Sequence, residues 1–373
     1  MSDVWQSGSR AFPQKGSRAF PQKGSARIIR ALQETHNRIA PLGSPQGGSS
    51  TLQLENQGDK ANIRPPTPDA RVTVFGPHPI LAITIERRGR DEDDIHLHAG
   101  GQGVWVARMI GEMGGWPILC GFCGGETGAQ LRPLLDRLSG ELRLVDTAAA
   151  SGCYLIDRRS GEREMIAHSW SDPPSRHEND DLFSVSCAAA LESQVLVVCG
   201  PVPAEALALE VYGNLVANAR ANRTTVIVDL SPPRLNSALE GGPDIVKLND
   251  WQLAEFASAS VTDPVRMREV AEQVLEHGAK AVVVTRGGDP ALVLNDRKAW
   301  QLTPPRFEGG ASEGSGDSMV GALAATLARG FDWEEALRWA AAAGAANFLR
   351  HGLGSGSRDV VADLVDKIEL TEL

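Results

Sequence analysis

The chain has 373 residues, 42% of them hydrophobic, and a formal charge of −10 with a pI near 5.4. That is enough apolar material for a large core, and the acidic balance excludes a general nucleic-acid binder, whose phosphate contacts need clustered Lys and Arg. No apolar run reaches the roughly 18 residues of a membrane span, the start lacks the apolar core of a secretory signal, and five scattered cysteines make no disulfide framework, so a cytoplasmic protein is expected.

Residues 1–70 stand apart. They hold a direct repeat, GSRAFPQK at 8–15 and again at 16–23, followed by a polar tract of Gly, Ser, Gln and Pro. Such composition buries too little apolar surface to offset its ordering entropy, so a disordered N-terminal extension is expected. Its first forty residues carry seven Lys and Arg against two acids. An organelle-targeting peptide, a tail for an anionic partner, a misassigned start and a plain solvated tail all fit that balance.

From Arg71 to the end of the chain, short apolar runs alternate with amphipathic stretches. Strands are expected at 71–76, 117–122, 194–200, 224–230, 244–249 and 281–287, with helical patterns such as GVWVARMIGEMG and PVRMREVAEQVLEHG between them. Apolar strands bounded by helices imply a doubly wound, mostly parallel α/β sheet covered on both faces, with ligands bound beyond the carboxyl ends of the strands. Two stretches, 82–101 and 152–170, instead alternate with period two and suggest a small separate sheet. His96 and His98 on the first read as surface histidines. Cys120 and Cys123 form a C-x-x-C inside a strand-like run, where core thiols are expected rather than a redox pair.

The strongest signal is Glu313-Gly314-Ser315-Gly316-Asp317, followed at once by the helical pattern SMVGALAATLARG. Two glycines permit a tight turn whose amides converge at a helix start, a site for negative charge. Asp317 at its mouth is placed either to take a proton from an attacking hydroxyl or to act as an ordinary N-cap.

That segment resembles the T-x-G-A-G-D-x-x-x-A-G signature of the PfkB sugar kinases. GGQGVWVARMIGEMGG (100–115) is similar to their GGKGxNVA helix, LCGFCGGETG (119–128) to the strand and loop after it, and PDIVKLNDWQLAEF (243–256) to their K-x-N-x-x-E region. The match runs in register over about 71–366 and looks nearest to the 1-phosphofructokinase and tagatose-6-phosphate kinase branch. The resemblance implies a ribokinase-like fold with a β lid, and ATP- and Mg²⁺-dependent phosphorylation of a sugar or sugar-like hydroxyl. Asp317 would be the general base and Gly314, Ser315 and Gly316 the anion hole. Lys247, Asn249, Thr285, Gly287 and Asn347 would lie along the nucleotide, while Gly100, Gly101, Gln102, Gly103 and Trp105 would approach the acceptor. It also implies a homodimer clasped through the lid, with Leu155, Ile156 and Ile166 at the interface or over the active site.

The chain departs from that pattern at the acceptor. Ala82 stands where a sugar-binding Asp is usual, Gln102 and Trp105 replace a Lys and an Asn, and Ala150-Ser151-Gly152-Cys153 replaces the T-R-x-N that presents a phosphate-binding Arg. Gln252 replaces the Glu of N-x-x-E, and Pro290 the last Gly of a nucleotide loop. Two readings follow. One is an active kinase whose acceptor is neither fructose phosphate nor tagatose phosphate; the other is a non-catalytic relative that keeps the fold and a nucleotide or sugar site.

Overall fold

The computed structural model describes residues 70–89, 91–200, 207–310, 312–350, 354 and 356–373. The N-terminal repeat and its basic stretch lie outside them. The strands are β1 (Arg71–Phe75), β2 (Ile80–Arg87), β3 (Asp93–Gly100), β4 (Trp116–Gly124), β5 (Glu141–Thr147), β6 (Cys153–Asp157), β7 (Glu164–Ser169), β8 (Val195–Cys199), β9 (Thr225–Asp229), β10 (Ile245–Asn249), β11 (Ala281–Arg286), β12 (Asp289–Asn295), β13 (Ala299–Thr303) and β14 (Glu369–Glu372).

Ten of these make the main sheet, in the order β14-β13-β12-β11-β10-β9-β8-β1-β4-β5. The run from β11 to β5 is parallel, and β12 to β14 add an antiparallel edge. The parallel strands are Val/Ile/Leu runs because both faces are covered; every residue of β8 is at most 1% exposed. On one face pack helices α1 (Gln102–Glu112), α2 (Gly125–Leu135), α8 (Ser315–Ala328), α9 (Trp333–Phe348) and α10 (Arg358–Val365). The other face carries α3 (Arg176–Leu191), α4 (Glu210–Ala221), α5 (Arg234–Glu240), α6 (Asp250–Ala257) and α7 (Pro264–Glu276). The chain grows outward from β1 toward β4 and β5, then returns to β8 on the other side. The strand order therefore reverses between β1 and β8, where an open α/β sheet leaves a crevice at the carboxyl ends.

The remaining four strands form a separate sheet, β3-β2-β6-β7. It is not two independent hairpins, because β2 and β6 pair in parallel, Ala82 opposite Tyr154 and Thr84 opposite Ile156. Alternation gives it two faces. Ala82, Thr84, His96, His98, Tyr154 and Ile156 point inward to a cleft, while Ile95 and Leu97 point outward, 60% and 47% exposed. Ile156, at 1% exposure, faces that cleft and so cannot serve the outer interface suggested by its sequence position; Leu155 and the 47% exposed Ile166 still can.

Cys120 and Cys123 are buried thiols in β4, and burial pushes Cys120 up to about 12. A thiol that holds its proton so tightly is not a nucleophile. Among the described residues no helix is long and apolar enough to cross a membrane, and no cluster of three or more His, Cys, Asp or Glu is arranged for a metal.

Candidate active site

The glycine turn lies at the carboxyl edge of the main sheet. Gly314 caps α8 with φ +75°, a left-handed value that favours glycine, and a Cβ on Gly316 would sit 2.6 Å from Lys247 Nζ and displace that ammonium. Gly321, one turn on, lets α8 approach α1, since its Cβ would meet the carbonyl of Val106 at 2.7 Å. Asn347 in α9 braces the turn from behind. Its Nδ2 donates to the Glu313 carbonyl at 2.8 Å and to Ser315 Oγ at 3.2 Å. The Ser315 amide is taken by the Ser312 carbonyl at 3.1 Å. Of the group expected for an anion hole, Ser315 is therefore spent on the turn itself, while the amides of Gly316 and Asp317, second and third in the helix, have no intrahelical acceptor.

Lys247 carries a buried charge. It lies in the apolar strand β10, only 6% exposed, and its ammonium is 3.2 Å from the carboxylate of Asp229, itself 2% exposed. The parallel register places Val228 beside Val246, so the next pair is Asp229 and Lys247. A buried Lys needs such a partner. The Lys247 ammonium lies against the Gly316 turn, and both it and Asp229 are near enough to Asp317 to act on its carboxyl. Sequence reasoning passed over Asp229; its signal was a carboxylate closing an apolar strand at the sheet's carboxyl end.

Asp317 completes the group. Burial and the nearby charge of Asp229 push its carboxyl up to about 7, against the pull of Lys247 and of a hydrogen bond with Gln102. Gln102 is locked in place: its Oε1 accepts from the Gly200 amide at 3.0 Å and its Nε2 donates to the Asp229 carbonyl at 3.3 Å. Where a cation was missing in sequence, the structure therefore has an amide that joins Asp317 to the ends of β8 and β9.

Asn249, Thr285 and Gly287 gather at the adjoining ends of β10 and β11, with Asn249 and Thr285 paired in register. Asn249 Oδ1 caps α6 by accepting from the Gln252 amide at 2.7 Å, and Gln252 Oε1 accepts from the Asn249 amide at 2.8 Å. Gln252 Nε2 donates to Ser231 Oγ at 3.1 Å. Gly287 has φ +60° with no atom near its open side, and Pro290 sits inside β12 beyond the turn. Along α1, Gly103 is buried against Gly76, where a Cβ would lie 2.5 Å from the Gly76 Cα. Gly101 takes φ +100° against the His78 carbonyl, and Gly100 lies against Tyr154 and Ala82 at the lid. Trp105 lines the lid cleft.

The model of the pfkB family of carbohydrate kinases matches residues 72–359. The chain belongs to this family. The ATP-dependent 6-phosphofructokinase isozyme 2 of Escherichia coli K12 is 31% identical over 267 residues, covering 70% of this chain and 84% of that relative. The 1-phosphofructokinase of Bacillus subtilis is 24% identical over 276 residues, 74% of this chain and 89% of its own. The crystal structure of E. coli phosphofructokinase-2 in complex with potassium superposes with a TM-score of 0.71 at 27% identity, over 80% of this chain and 99% of that one. The fold is ribokinase-like and the protein is a PfkB-type kinase of the phosphofructokinase branch.

Proposed function

We propose that this protein transfers the γ-phosphoryl group of ATP to a hydroxyl of a monosaccharide-sized acceptor, with Asp317 as general base. The observation that carries the reading is a carboxyl held near pH 7 beside a glycine turn at a helix start, with a buried ammonium under that turn. The acceptor oxygen attacks phosphorus as its proton passes to Asp317, and the bond from the γ-phosphorus to the ADP oxygen breaks. A base with a pKa near the working pH serves such a transfer best. The amides of Gly316 and Asp317 and the ammonium of Lys247 meet the charge on the moving phosphoryl group. Asn249, Thr285 and Gly287 border the ATP side, while Gln102 and Trp105 border the acceptor side.

Mg²⁺ would arrive with ATP, screening phosphate charge. It commonly keeps several waters and binds through one or two carboxylates plus substrate phosphates. The residues here suit that mode and not a protein cage, because position 252 offers a neutral amide whose oxygen is already bonded.

The lid's outer face, with Ile95 and Leu97, is proposed to clasp a second copy of the chain. The kinase reading is tested by ADP release from purified protein with ATP, Mg²⁺ and a panel of sugars, sugar phosphates and sugar acids. Turnover by the wild type, abolished in Asp317→Asn, is expected; no turnover by either protein across the panel would favour the non-catalytic reading.

A further inference from the structure

A second cavity lies further along α1, bounded by the end of α1, the turn after α2 and the last residues of β3. It encloses about 460 Å³, within the roughly 300–1,000 Å³ of pockets that hold small molecules. A Cβ on Gly111 would lie 3.1 Å from that of Ser139, so α1 and the turn touch at its edge. Glu112, on its wall, stands ten residues after Gln102, a helical rise of about 15 Å. A monosaccharide-sized acceptor whose hydroxyl meets Asp317 is too short to reach this space, so a ligand here is a different molecule.

The cavity carries charge of both signs, and neither sign is spent. The Arg137 side chain enters no ion pair or hydrogen bond among the described residues. Glu112 lies four residues after Arg108, on the same side of α1, yet closes to an ion pair with no cation among the described residues. Partial burial raises the Glu112 pKa, and Arg350 and Arg108 offset this from a distance. A guanidinium short of negative charge and a carboxyl short of positive charge thus border one space. Leu97, Leu134 and Leu138 supply its apolar wall. A simple anion would answer only the first group and a simple cation only the second.

This cavity and the lid cleft share a wall. His98, Ala99 and Arg108 line both. Arg108 Nη2 donates to the Ala99 carbonyl at 3.1 Å, which ties α1 to β3 across that wall. A guanidinium recruited to one side is withdrawn from the other, and the lid cleft that would lose it is the one that Trp105 lines.

We infer that the second cavity is an effector site for a small zwitterion of the aliphatic α-amino acid class. Its carboxylate pairs with Arg137 and Arg108, its ammonium with Glu112, and its side chain lies on the three leucines. Guanidinium groups suit a carboxylate because they offer it two parallel hydrogen bonds. By drawing Arg108 away from the lid cleft, the effector weakens acceptor binding, and by linkage the acceptor weakens the effector by the same factor. The site adds regulation to the kinase reading and rests on that reading for its kinetic consequence alone.

The test uses the full-length protein, as wild type, Glu112→Gln and Arg137→Gln; both positions are exposed, so each variant should fold. Calorimetric titration compares L-valine, L-leucine and L-isoleucine with 4-methylpentanoate and 3-methylbutylamine, which are leucine without its ammonium and without its carboxylate. At least one amino acid should bind saturably, the two single-charge analogues should bind about 10-fold or more weakly than leucine, and each variant should weaken the amino acid by about 10-fold. In ADP release, the amino acid should raise the acceptor KM by about 5-fold or more with kcat unchanged, and this effect should vanish in variants whose own KM and kcat match the wild type's. No binding by any of the three, or binding that ignores the missing charge and both variants, would overturn the site and leave the kinase standing. Binding with the acceptor KM unmoved would overturn the effector role. Absent turnover with charge-selective binding lost in both variants would retain the site and sink the kinase reading. Absent turnover with no binding would sink both.

Discussion

Replacing Asp317 by Asn should abolish phosphoryl transfer and, at alkaline pH, make the protein more stable. The ionised carboxyl is disfavoured in the folded state, its pKa moving from the usual 3.8 to about 7. Folding therefore retains a proton that the unfolded chain has released, and stability is lost as pH rises from about 3.8 through about 7. At 1.36 kcal/mol per unit the ceiling is about 4 kcal/mol. The residue is only half-buried, and allowing for the water that reaches it leaves about 2 kcal/mol. Asn keeps the shape and a partner for Gln102 while removing the charge. At pH 8 its thermal midpoint should exceed the wild type's by about 4 °C, and the gap should fall to less than half by pH 5. In the same preparations turnover should drop about 10²–10⁴-fold, and wild-type kcat/KM should decline below about pH 7 as the base takes up its proton. Calorimetry across pH, paired with ADP release, measures both effects. A variant no more stable than wild type at pH 8, or a gap independent of pH, would refute the claim that Asp317 is a strained base.

Four further substitutions test the structure. Gly316→Ala drives a methyl group toward Lys247 Nζ, displacing the ammonium from its position 3.2 Å from Asp229; kcat should fall at least about 10-fold with the fold retained by circular dichroism, since misplaced charge weakens transition-state stabilisation. Lys247→Met removes the cation that lowers the Asp317 pKa, so the acidic limb of the pH–rate profile should move upward from about 7. The same change leaves Asp229 buried without its partner, at a cost of about 3–5 kcal/mol in denaturant titration; an unmoved limb would detach Lys247 from the base. Leu97→Glu in the exposed outer face of the lid should convert a dimer to monomers in light scattering, whereas Cys120→Ala should leave the mass and turnover unchanged.

The parts of this site written contiguously were legible before any coordinates. Gly314, Gly316 and Asp317 lie within four residues, and a turn that opens a helix announces its use of backbone amides. The apolar runs that become β1, β4 and β8 to β11 are continuous because a parallel sheet is covered on both faces. The short edge strands β12 to β14 were missed, being antiparallel and next to turns. Asp229 was missed for another reason: eighteen residues separate it from Lys247, and only the parallel register of β9 and β10 turns that separation into a 3.2 Å ion pair.

The lid cleft shows the same limit more sharply. Read in sequence, Arg158 and Arg163 belong to a charged hairpin turn, His96 and His98 to a surface strand, and Arg108 to a helix, each with an ordinary solvated role. The pairing of β2 with both β3 and β6 turns these segments toward one space. Loss of the expected acceptor residues at Ala82, Gln102 and Trp105 therefore does not measure loss of binding. Ala82 stands without a carboxylate in a cleft that gathers guanidinium groups. Gln102, tied to the Gly200 amide, bonds Asp317 without placing a second ammonium beside it. The substitutions are mutually consistent once placed in space: a neutral amide stands beside Asp317, and three guanidinium groups line the lid cleft.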